Sequence, residues 1–288
     1  WTFLRYRLFG EARQEVLVGS DGWLFSTEEF APPAPLAVPL PQALERIDAA
    51  RAVVEAKGVD LVVALVPSKA SVEGAHLGRY QVPPGLDARY EAARAGIAGL
   101  GIAAPDLRTP LIAAAATEDM YLRTDTHWTP AGARQAADVL AATIIPLLVK
   151  SESARIAFDT ETGSPEPLQG DLLKFVPLGP WQDRGPAPDT VAIPHAAPEA
   201  TAQEAAEDDG LFGEIDIPVA LVGTSYSANP TSGFETALKD ALDADVLNVA
   251  VEGEGPFEPM EAYLGSSAID DPRPDVIVWE IPERYLIP

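Results

Sequence analysis

The run Leu61-Val-Val-Ala-Leu-Val66 predicts the central layer of the fold. It is short, continuous and β-branched, which is typical of a parallel strand buried on both faces. Pro67-Ser-Lys69 follows at its carboxyl end, where open α/β sheets place their ligands. A second run, Ile217-Pro-Val-Ala-Leu-Val222, leads into Gly223-Thr-Ser225. Together the two runs predict a mostly parallel sheet with polar residues at its carboxyl edge.

Helices and further strands alternate with these runs along the sequence. Apolar residues at helical spacing predict helices over five segments, namely Gln42–Lys57, Tyr90–Gly99, Thr109–Ala116, Thr129 to about Lys150, and Phe234–Leu242. Three more strands are predicted over Gly101–Leu107, Asp245–Val251 and Asp275–Trp279. This alternation is typical of a three-layer α/β sandwich with a mostly parallel sheet.

We expect residues 1–288 to form a single domain with an N-terminal extension over residues 1–41. Two short apolar runs around Ser20-Asp-Gly22 predict a hairpin, with Trp23 in the core. The proline-rich residues 31–41 predict an extended connector between this hairpin and the first long helix.

Residues 151–210 differ in composition from the rest of the chain. Proline, glycine, alanine and acidic residues dominate there, and residues 185–209 contain almost no large apolar side chain. The segment, hereafter the insertion, is therefore predicted to be a long and partly mobile excursion between two halves of the domain. His195 lies within the insertion and is not expected to be catalytic.

The acidic balance of the chain limits its partners. There are 44 Asp and Glu residues against 20 Lys and Arg residues, which gives a net charge of −24. Such a surface repels phosphate backbones and anionic lipid head groups, so nucleic acid and polybasic membrane docking are poor interpretations. It also weighs against a strongly anionic polymer substrate unless a local basic patch overrides the mean field. The absence of cysteine excludes disulfides and thiolate chemistry.

The stretch Asp125-Thr-His127 carries one of only three histidines in the chain. Histidine moves protons near neutral pH and needs an anion on its far nitrogen to hold the tautomer. A core histidine paired with Asp125 explains the motif equally well on these residues alone. A zinc site does not fit, because His76 and His195 lie at no ligand spacing from it.

Ser225 supplies the nucleophile that such a pair requires. A serine after a strand is usually a turn former or helix cap, so the isolated signal is weak. The conjunction is more specific, because two strand ends of one α/β domain carry complementary parts of a Ser-His-Asp device. Trp128 is more typical of a core residue, although an aromatic ring beside a base often walls a sugar site.

Five motifs, in this order, resemble the AlgX/AlgJ family of polysaccharide O-acetyltransferases, whose catalytic domain is SGNH-hydrolase-like. The motifs are Asp21-Gly-Trp-Leu-Phe25, Val66-Pro-Ser-Lys69, Arg123-Thr-Asp-Thr-His-Trp-Thr-Pro-Ala-Gly132, Gly223-Thr-Ser-Tyr-Ser227 and Trp279-Glu-Ile-Pro-Glu-Arg-Tyr-Leu286. The resemblance covers nearly the whole chain except the insertion. It implies that Ser225 is the nucleophile, His127 the general base and acid, and Asp125 the orienting carboxylate.

The order of the motifs resembles that family's circularly permuted domain. In most SGNH hydrolases the serine block comes first, whereas here Asp125 and His127 precede Ser225. The resemblance implies oxyanion donors from the Ser225 N–H and from Gly253 or Gly255. The third SGNH donor, an asparagine, is missing after Trp279-Glu280. Arg284 and Tyr285 are candidates for the site from their position alone.

Substrate binding is expected to involve aromatic and basic residues near the strand ends. The aromatic candidates are Trp128, Tyr226 and Tyr285. A local positive cleft could be formed by five cations, namely Lys69, Arg79, Arg123, Arg134 and Arg284. If these cations scatter over the surface, a neutral polysaccharide becomes a better acceptor than a polyuronate such as alginate.

The resemblance implies a periplasmic enzyme that moves an acetyl group onto an exported polysaccharide, without a cofactor or metal. It also implies a membrane-bound protein as acetyl donor, other exopolysaccharide-machinery partners, and room for a membrane anchor before Trp1. A carbohydrate acetylesterase using the same residues is one alternative. A non-catalytic scaffold that holds the polymer is another.

Overall fold

The computed structural model describes residues 2–30, 35–148, 156–198, 217–270 and 273–287. Its α-helices are α1 Thr2–Phe9, α2 Leu40–Ala56, α3 Lys69–Val72, α4 Leu86–Gly99, α5 Arg108–Ala114, α6 Pro130–Ile144, α7 Ser225–Ala228, α8 Phe234–Leu242 and α9 Phe257–Leu264. Its strands are β1 Val16–Val18, β2 Leu24–Ser26, β3 Val38–Pro39, β4 Asp60–Val66, β5 Phe158–Thr162, β6 Glu166–Leu168, β7 Asp189–Val191, β8 Pro194–Pro198, β9 Val219–Val222, β10 Val246–Asn248, β11 Val276–Pro282 and β12 Leu286–Ile287.

Four parallel strands form the central sheet in the order β10-β9-β11-β4. A parallel bridge from Val62 to Ala103 extends the sheet beyond β4. Counted from β9, the order is 2-1-3-4-5, one of the common doubly wound orders. From β9 the chain adds β10 on one side and β11 on the other. Such a switch point in strand order opens a crevice at the carboxyl ends of the strands. Ser225 follows β9 at that place.

Both faces of the sheet are covered, which confirms the three-layer α/β prediction. Side chains alternate along β4, so Val62, Ala64 and Val66 enter one core cluster while Leu61, Val63 and Leu65 enter the other. Helices α5, α6 and α8 supply the first cluster, and α2, α4 and α9 supply the second. This two-sided burial explains why β4 is continuously apolar in sequence.

Predicted elements differ from the observed ones where proline intervenes. The predicted strand Gly101–Leu107 is wrong, because the structure reduces it to the Val62–Ala103 bridge. Pro105 has no N–H to continue a ladder beyond that point. Helix α9 was not predicted, and its sequence contains Pro259 in the first turn. Helix α6 ends at Ile144, a short 3-10 turn continues to Leu148, and the predicted end near Lys150 lies outside the described residues.

The N-terminal extension contains the predicted hairpin. Strands β1 and β2 pair antiparallel, and the turn places Asp21 and Gly22 at φ values of +50° and +83°. Trp23 is buried, as predicted. The unpredicted α1 precedes the hairpin. Within the proline-rich connector, β3 pairs with β12, while residues 31–34 lie outside the described residues.

The described residues of the insertion, which was predicted to be a long and partly mobile excursion, contain four paired strands. Strand β5 pairs with β8 and β6 pairs with β7, both antiparallel. In the connection from β6 to β7, Leu172, Leu173, Val176 and Leu178 form a small apolar cluster with Val16 and Leu24 of the N-terminal hairpin. A few well-spaced leucines therefore suffice to anchor a segment whose average composition is polar. Residues 151–155 and 199–210 of the insertion lie outside the described residues.

Among the helices of the described residues, none combines the length and apolarity required to cross a membrane.

Candidate active site

Residues 121–129, hereafter the Asp-His loop, join α5 to α6 and fold back on themselves. Tyr121 pairs with Trp128, and the Leu122 N–H donates to the His127 carbonyl at 2.9 Å. Thr129 caps α6, because its hydroxyl accepts the Gly132 N–H at 3.0 Å. The loop therefore presents residues 123–127 as a closed turn with fixed ends.

The structure brings Asp125, His127 and Ser225 together. The Nδ1 atom of His127 lies 2.6 Å from Oδ1 of Asp125, and Nε2 lies 2.7 Å from Oγ of Ser225. Because an ionised carboxylate only accepts hydrogen bonds, Nδ1 carries the hydrogen and Nε2 is free to accept the serine proton. The His127 side chain is 12% exposed and that of Asp125 is 9% exposed, so both are largely shielded from water, and Ser225 is partly buried.

The carboxyl group of Asp125 is held in its ionised form. Burial alone would raise its pKa, but the hydrogen bond and charge of His127, with the Asp171 and His127 N–H groups, outweigh burial and lower the pKa to about 2. The His127 N–H donates to Oδ1 at 2.9 Å and the Asp171 N–H donates to Oδ2 at 2.8 Å. Both carboxylate oxygens are thus occupied.

Glu280 braces the turn that carries Ser225. It lies one residue beyond the Trp279–Val222 pair of β11 and β9, and its carboxyl group accepts the Thr224 N–H at 2.7 Å and the Ser227 hydroxyl at 3.1 Å. Burial raises the pKa of this carboxyl to about 7, although those hydrogen bonds and Arg284 oppose the shift. Glu280 lies in β11, the strand after which the family resemblance implies an asparagine, and its contacts with the serine turn were not predicted.

Trp128 and Tyr226 hold the two loops together instead of facing a substrate. Trp128 is fully buried and Tyr226 is 2% exposed. The Tyr226 hydroxyl donates to the Thr126 carbonyl at 2.7 Å, and the Trp128 indole N–H donates to the Tyr226 carbonyl at 3.3 Å. Burial under the Asp-His loop and the serine turn contradicts a substrate contact for either ring, and it agrees with the core interpretation of Trp128.

Lys69 was also expected to bind substrate, and its position contradicts this. Its side chain is fully buried, and its ammonium donates to the carbonyl oxygens of Leu24, Arg123 and Asp125 at 2.6, 3.1 and 2.8 Å. Burial lowers its pKa to about 8, although the charge of Glu29 and other carboxylates opposes the shift. Lys69 thus joins the N-terminal hairpin to the Asp-His loop.

The predicted positive cleft does not form. Arg79 donates to the carbonyls of Phe9 and Gly10 near the N-terminal helix. Arg134 pairs with Asp138 and Asp240 on the helix surface. With Lys69 buried, these cations do not converge on the serine.

Two other arginines lie closer to the site. Arg123 belongs to the Asp-His loop, and its guanidinium donates to the Ala187 carbonyl at 3.3 Å. The Arg284 guanidinium lies 5.6 Å from the centre of the Tyr226 ring and 5.2 Å from that of Tyr285. The buried Nε of Arg284 has no hydrogen-bond partner among the described residues. Arg284 therefore remains the better candidate for contact with a substrate.

The two glycines expected in the oxyanion hole differ in their surroundings. Gly253 is exposed and has a φ of +81°. Gly255 is buried, has a φ of +69°, and a Cβ built there would contact Leu36. The Val251 N–H, two residues before Gly253, donates to the Gly223 carbonyl at 3.1 Å, which anchors this segment beside the serine turn.

Two aspartates of the insertion contact the Asp-His loop and were not predicted. Asp171 binds Thr126, and Asp189 binds Arg123 and Thr124. Asp171 and Asp189 could not be singled out from the sequence, because the chain contains 44 Asp and Glu residues and the insertion is rich in them. The local sequence that could have indicated a structured contact is Gly170-Asp171 followed by two leucines.

The other histidines and the close ligand-type groups lie as follows. His76 stacks on Trp23 with ring centres 4.3 Å apart, and His195 lies on β8. Within the described residues, ligand-type atoms fall within 4.8 Å of one another in two groups, Glu73-His76-Asp119 and Asp125-His127-Asp171. In the second group both carboxylate oxygens of Asp125 already accept hydrogen bonds, Oδ1 from His127 and Oδ2 from Asp171.

Comparison with known proteins places these loops in a family. The family model described as "SGNH hydrolase-like domain, acetyltransferase AlgX" matches residues 16–283. The chain is 42% identical over 287 residues to "Probable alginate O-acetylase AlgJ" of Pseudomonas putida, covering 99% of this chain and 74% of that one. It is 41% identical over 291 residues to the protein of the same name from Pseudomonas aeruginosa, with the same coverages.

Solved structures agree with the sequence relatives. The O-acetyltransferase domain of Pseudomonas putida AlgJ superposes with a TM-score of 0.82 at 40% identity, over 94% of this chain and 91% of that one. Pseudomonas aeruginosa AlgX gives a TM-score of 0.73 at 25% identity, over 93% and 61%. Since the family match runs from the N-terminal hairpin through both loops of the site to the end of β11, the chain belongs to the SGNH hydrolase-like acetyltransferase family of AlgX and AlgJ.

Proposed function

We propose that this protein is an O-acetyltransferase that moves an acetyl group through Ser225 onto hydroxyl groups of an exported polysaccharide. The observation that carries the proposal is the unbroken chain of hydrogen bonds from Asp125 through His127 to Ser225, at 2.6 and 2.7 Å. These distances are within the range at which a base activates a serine hydroxyl. The names of the relatives favour alginate or another exopolysaccharide as the acceptor.

The proposed reaction has two half-reactions, acetylation of Ser225 and transfer of the acetyl group to the sugar. His127 Nε2 takes the Ser225 proton while Oγ attacks the acetyl carbon of the donor, and the protonated imidazole returns the proton to the leaving group. Acetyl-Ser225 remains. A sugar hydroxyl then loses its proton to Nε2 and attacks the acetyl carbon, which releases Oγ to take that proton back. Asp125 holds the imidazole tautomer and stabilises its cation in both steps.

The oxyanion of each tetrahedral intermediate needs hydrogen-bond donors. We assign this role to the N–H groups of Ser225 and Gly253, with the half-buried Arg284 guanidinium supplying positive charge nearby. The geometry of Arg284 over Tyr226, the residue after the nucleophile, supports the assignment. Arg284→Ala with unchanged acetyl transfer would remove Arg284 from it.

Two cavities lie along the insertion, and neither is lined by Asp125, His127 or Ser225. One, of about 210 Å³, lies between the Pro194–Ala196 segment of β8 and residues 227–230 after the serine. The other, of about 390 Å³, lies beside Arg123 and residues 189–192. Each is large enough for part of a sugar chain, and both are walled on one side by the insertion.

The proposed reaction requires a source of acetyl groups outside the cytoplasm. We propose a periplasmic location, a membrane-bound acetyl-donor protein and other polysaccharide-export proteins as partners. The family resemblance and the alginate-related names of the relatives support these assignments. The reaction itself needs no cofactor or metal, because Ser225 and His127 supply the nucleophile and the proton transfers.

Incubation with an activated acetyl ester, with and without oligosaccharide, tests the proposal. We expect acetylated sugar with the oligosaccharide, and a one-acetyl mass increase on the Ser225 peptide without it. Bare acetate that the sugar never suppresses would indicate an acetylesterase. Turnover that Ser225→Ala does not abolish would exclude serine catalysis, and no turnover by the wild type would favour a scaffold.

A further inference from the structure

The insertion supplies an aspartate that binds on the far side of Asp125 from the histidine. The Asp171 N–H donates to Asp125 Oδ2 at 2.8 Å, while His127 occupies Oδ1. The Asp171 carboxylate accepts the Thr126 N–H at 2.9 Å and the Thr126 hydroxyl at 2.7 Å. Thr126 is the residue between Asp125 and His127, so its backbone orientation fixes the angle between their side chains.

A second aspartate of the insertion binds the preceding residues of the same loop. Asp189 accepts the Arg123 N–H at 3.0 Å and the Thr124 N–H at 2.9 Å, and its other contact is the Thr124 hydroxyl. The approach is close, because a Cβ on Gly170 would overlap the Thr124 carbonyl. Asp189 is 8% exposed and Thr124 is fully buried, so water does not replace these bonds.

Together the two aspartates satisfy the N–H groups of residues 123, 124 and 126, which the loop does not satisfy itself. A base and its carboxylate must be held to about 0.5 Å for efficient proton transfer. We propose that Asp171 and Asp189 are positioning residues, through which the insertion sets the alignment of Asp125 with His127. This inference rests on the proposed serine mechanism and extends it to a segment that carries none of the reacting groups.

Steady-state turnover of an activated acetyl ester by the full chain tests the inference. Asp171→Ala leaves the Thr126 N–H and hydroxyl unpaired, and we expect kcat to fall about 10- to 100-fold with KM within about 2-fold. Asp171→Asn keeps one acceptor oxygen and is expected to recover part of the loss. Asp183→Asn, an exposed aspartate of the same insertion, is the matched control and is expected to keep wild-type kcat.

A double-mutant cycle separates alignment from general stability. If Asp171 acts through Asp125, the Asp171→Ala effect disappears in an Asp125→Ala background. An equal loss in both backgrounds, or a folded Asp171→Ala protein with wild-type kcat, overturns the inference. If Asp171→Ala does not fold, the same cycle with Asp171→Asn and with Asp189→Asn decides. Persistence of turnover in Ser225→Ala would instead contradict the proposed function, whatever the aspartates do.

Discussion

Gly223 lies where any side chain would meet the carboxyl group that braces the serine turn. A Cβ at this position would lie 2.5 Å from Oε2 of Glu280. The same oxygen accepts the Thr224 N–H at 2.7 Å, so Glu280 cannot move away without releasing the turn. The glycine before Thr224-Ser225 is therefore required by the close approach of β11, and not by an unusual backbone angle.

Gly223→Ala is expected to lower acetyl-ester turnover on the order of 100-fold, because a displacement near 1 Å in a catalytic group has that effect. Gly99→Ala is the control, since no atom lies within 4 Å of a Cβ built there. Turnover and thermal midpoint are measured for both variants. Wild-type turnover in Gly223→Ala would show that Glu280 does not set the serine position.

Glu280 is expected to make the folded protein less stable as the pH rises. Its pKa is about 7 in the folded protein against an ordinary value of 4.5, so the folded state binds more protons between these values. The free energy of unfolding therefore falls as pH rises through this interval. We expect the wild type to lose roughly 1–3 kcal/mol more than Glu280→Gln between pH 5 and pH 7.5, as measured by urea unfolding. Equal losses in the two proteins would contradict this.

The proximity of Asp125, His127 and Ser225 was predictable, because histidine is rare in the chain and Ser225 has specific surroundings. The chain has only three histidines, and Ser225 follows an apolar strand and a glycine. Asp171 and Glu280 act through ordinary carboxylates, which no spacing distinguishes from the other acidic residues. Lys69 was placed correctly after β4, whereas Trp128 lies between two helices, and sequence position does not show which way either side chain points.

Helix α3, the N-terminal hairpin and the Asp-His loop are joined through Lys69. Its ammonium lies 5.1 and 5.0 Å from the ring centres of Trp23 and Phe25, inside a closed shell of carbonyl oxygens and aromatic rings. The buried Glu29 carboxylate, which accepts the Ala70 N–H at 2.7 Å, contributes opposing charge. Three elements that are distant in sequence thus depend on one cation.

Lys69→Met is expected to lower the free energy of unfolding by about 3 kcal/mol, because three carbonyl oxygens lose their donor and the buried Glu29 carboxylate loses a nearby positive charge. Lys57→Met is the control, as Lys57 makes a surface ion pair with Asp270 and should cost about 0.5 kcal/mol or less. Urea unfolding checks both values. A loss for Lys69→Met no larger than that of Lys57→Met would show that the contacts of the Lys69 ammonium do not stabilise the fold.

The elements with a continuous apolar pattern were predicted well, and those stabilised by tertiary contacts were not. Strand β4 and helix α8 match their predicted ranges within one residue. The antiparallel pairs β5–β8 and β6–β7 had no such pattern, and four of the five residues of β5 are exposed. Their order comes from pairing across the insertion and from the small leucine cluster, which composition averages conceal.

The net charge of −24 and the dispersed cations together influence acceptor choice. Arg79 and Arg134 are engaged in separate surface contacts, and Lys69 is buried. The field around the molecule therefore repels a polyuronate at long range, although the relatives are named as alginate O-acetylases. A neutral oligosaccharide experiences no such field.

Salt is expected to distinguish the two acceptor classes. Raising ionic strength from about 0.01 to 0.1 M shortens the Debye length from about 30 to 10 Å. We expect acetylation of uronate oligosaccharides to increase several-fold over this range and acetylation of neutral oligosaccharides to stay constant, as measured by initial rates. A decrease for the uronates would instead indicate a local basic site, with Arg284 the first residue to test.

Strand β11 lies between β9 and β4 yet comes last of the four in the chain. Ser68 and Glu283, joined by a hydrogen bond of 2.8 Å, are 215 residues apart. During synthesis, β4 and β9 therefore leave the ribosome with open edges and wait for their shared neighbour. Such non-local pairing slows folding and exposes strands to aggregation. Biogenesis of this molecule accordingly places its greatest demand on chaperones before β11 emerges.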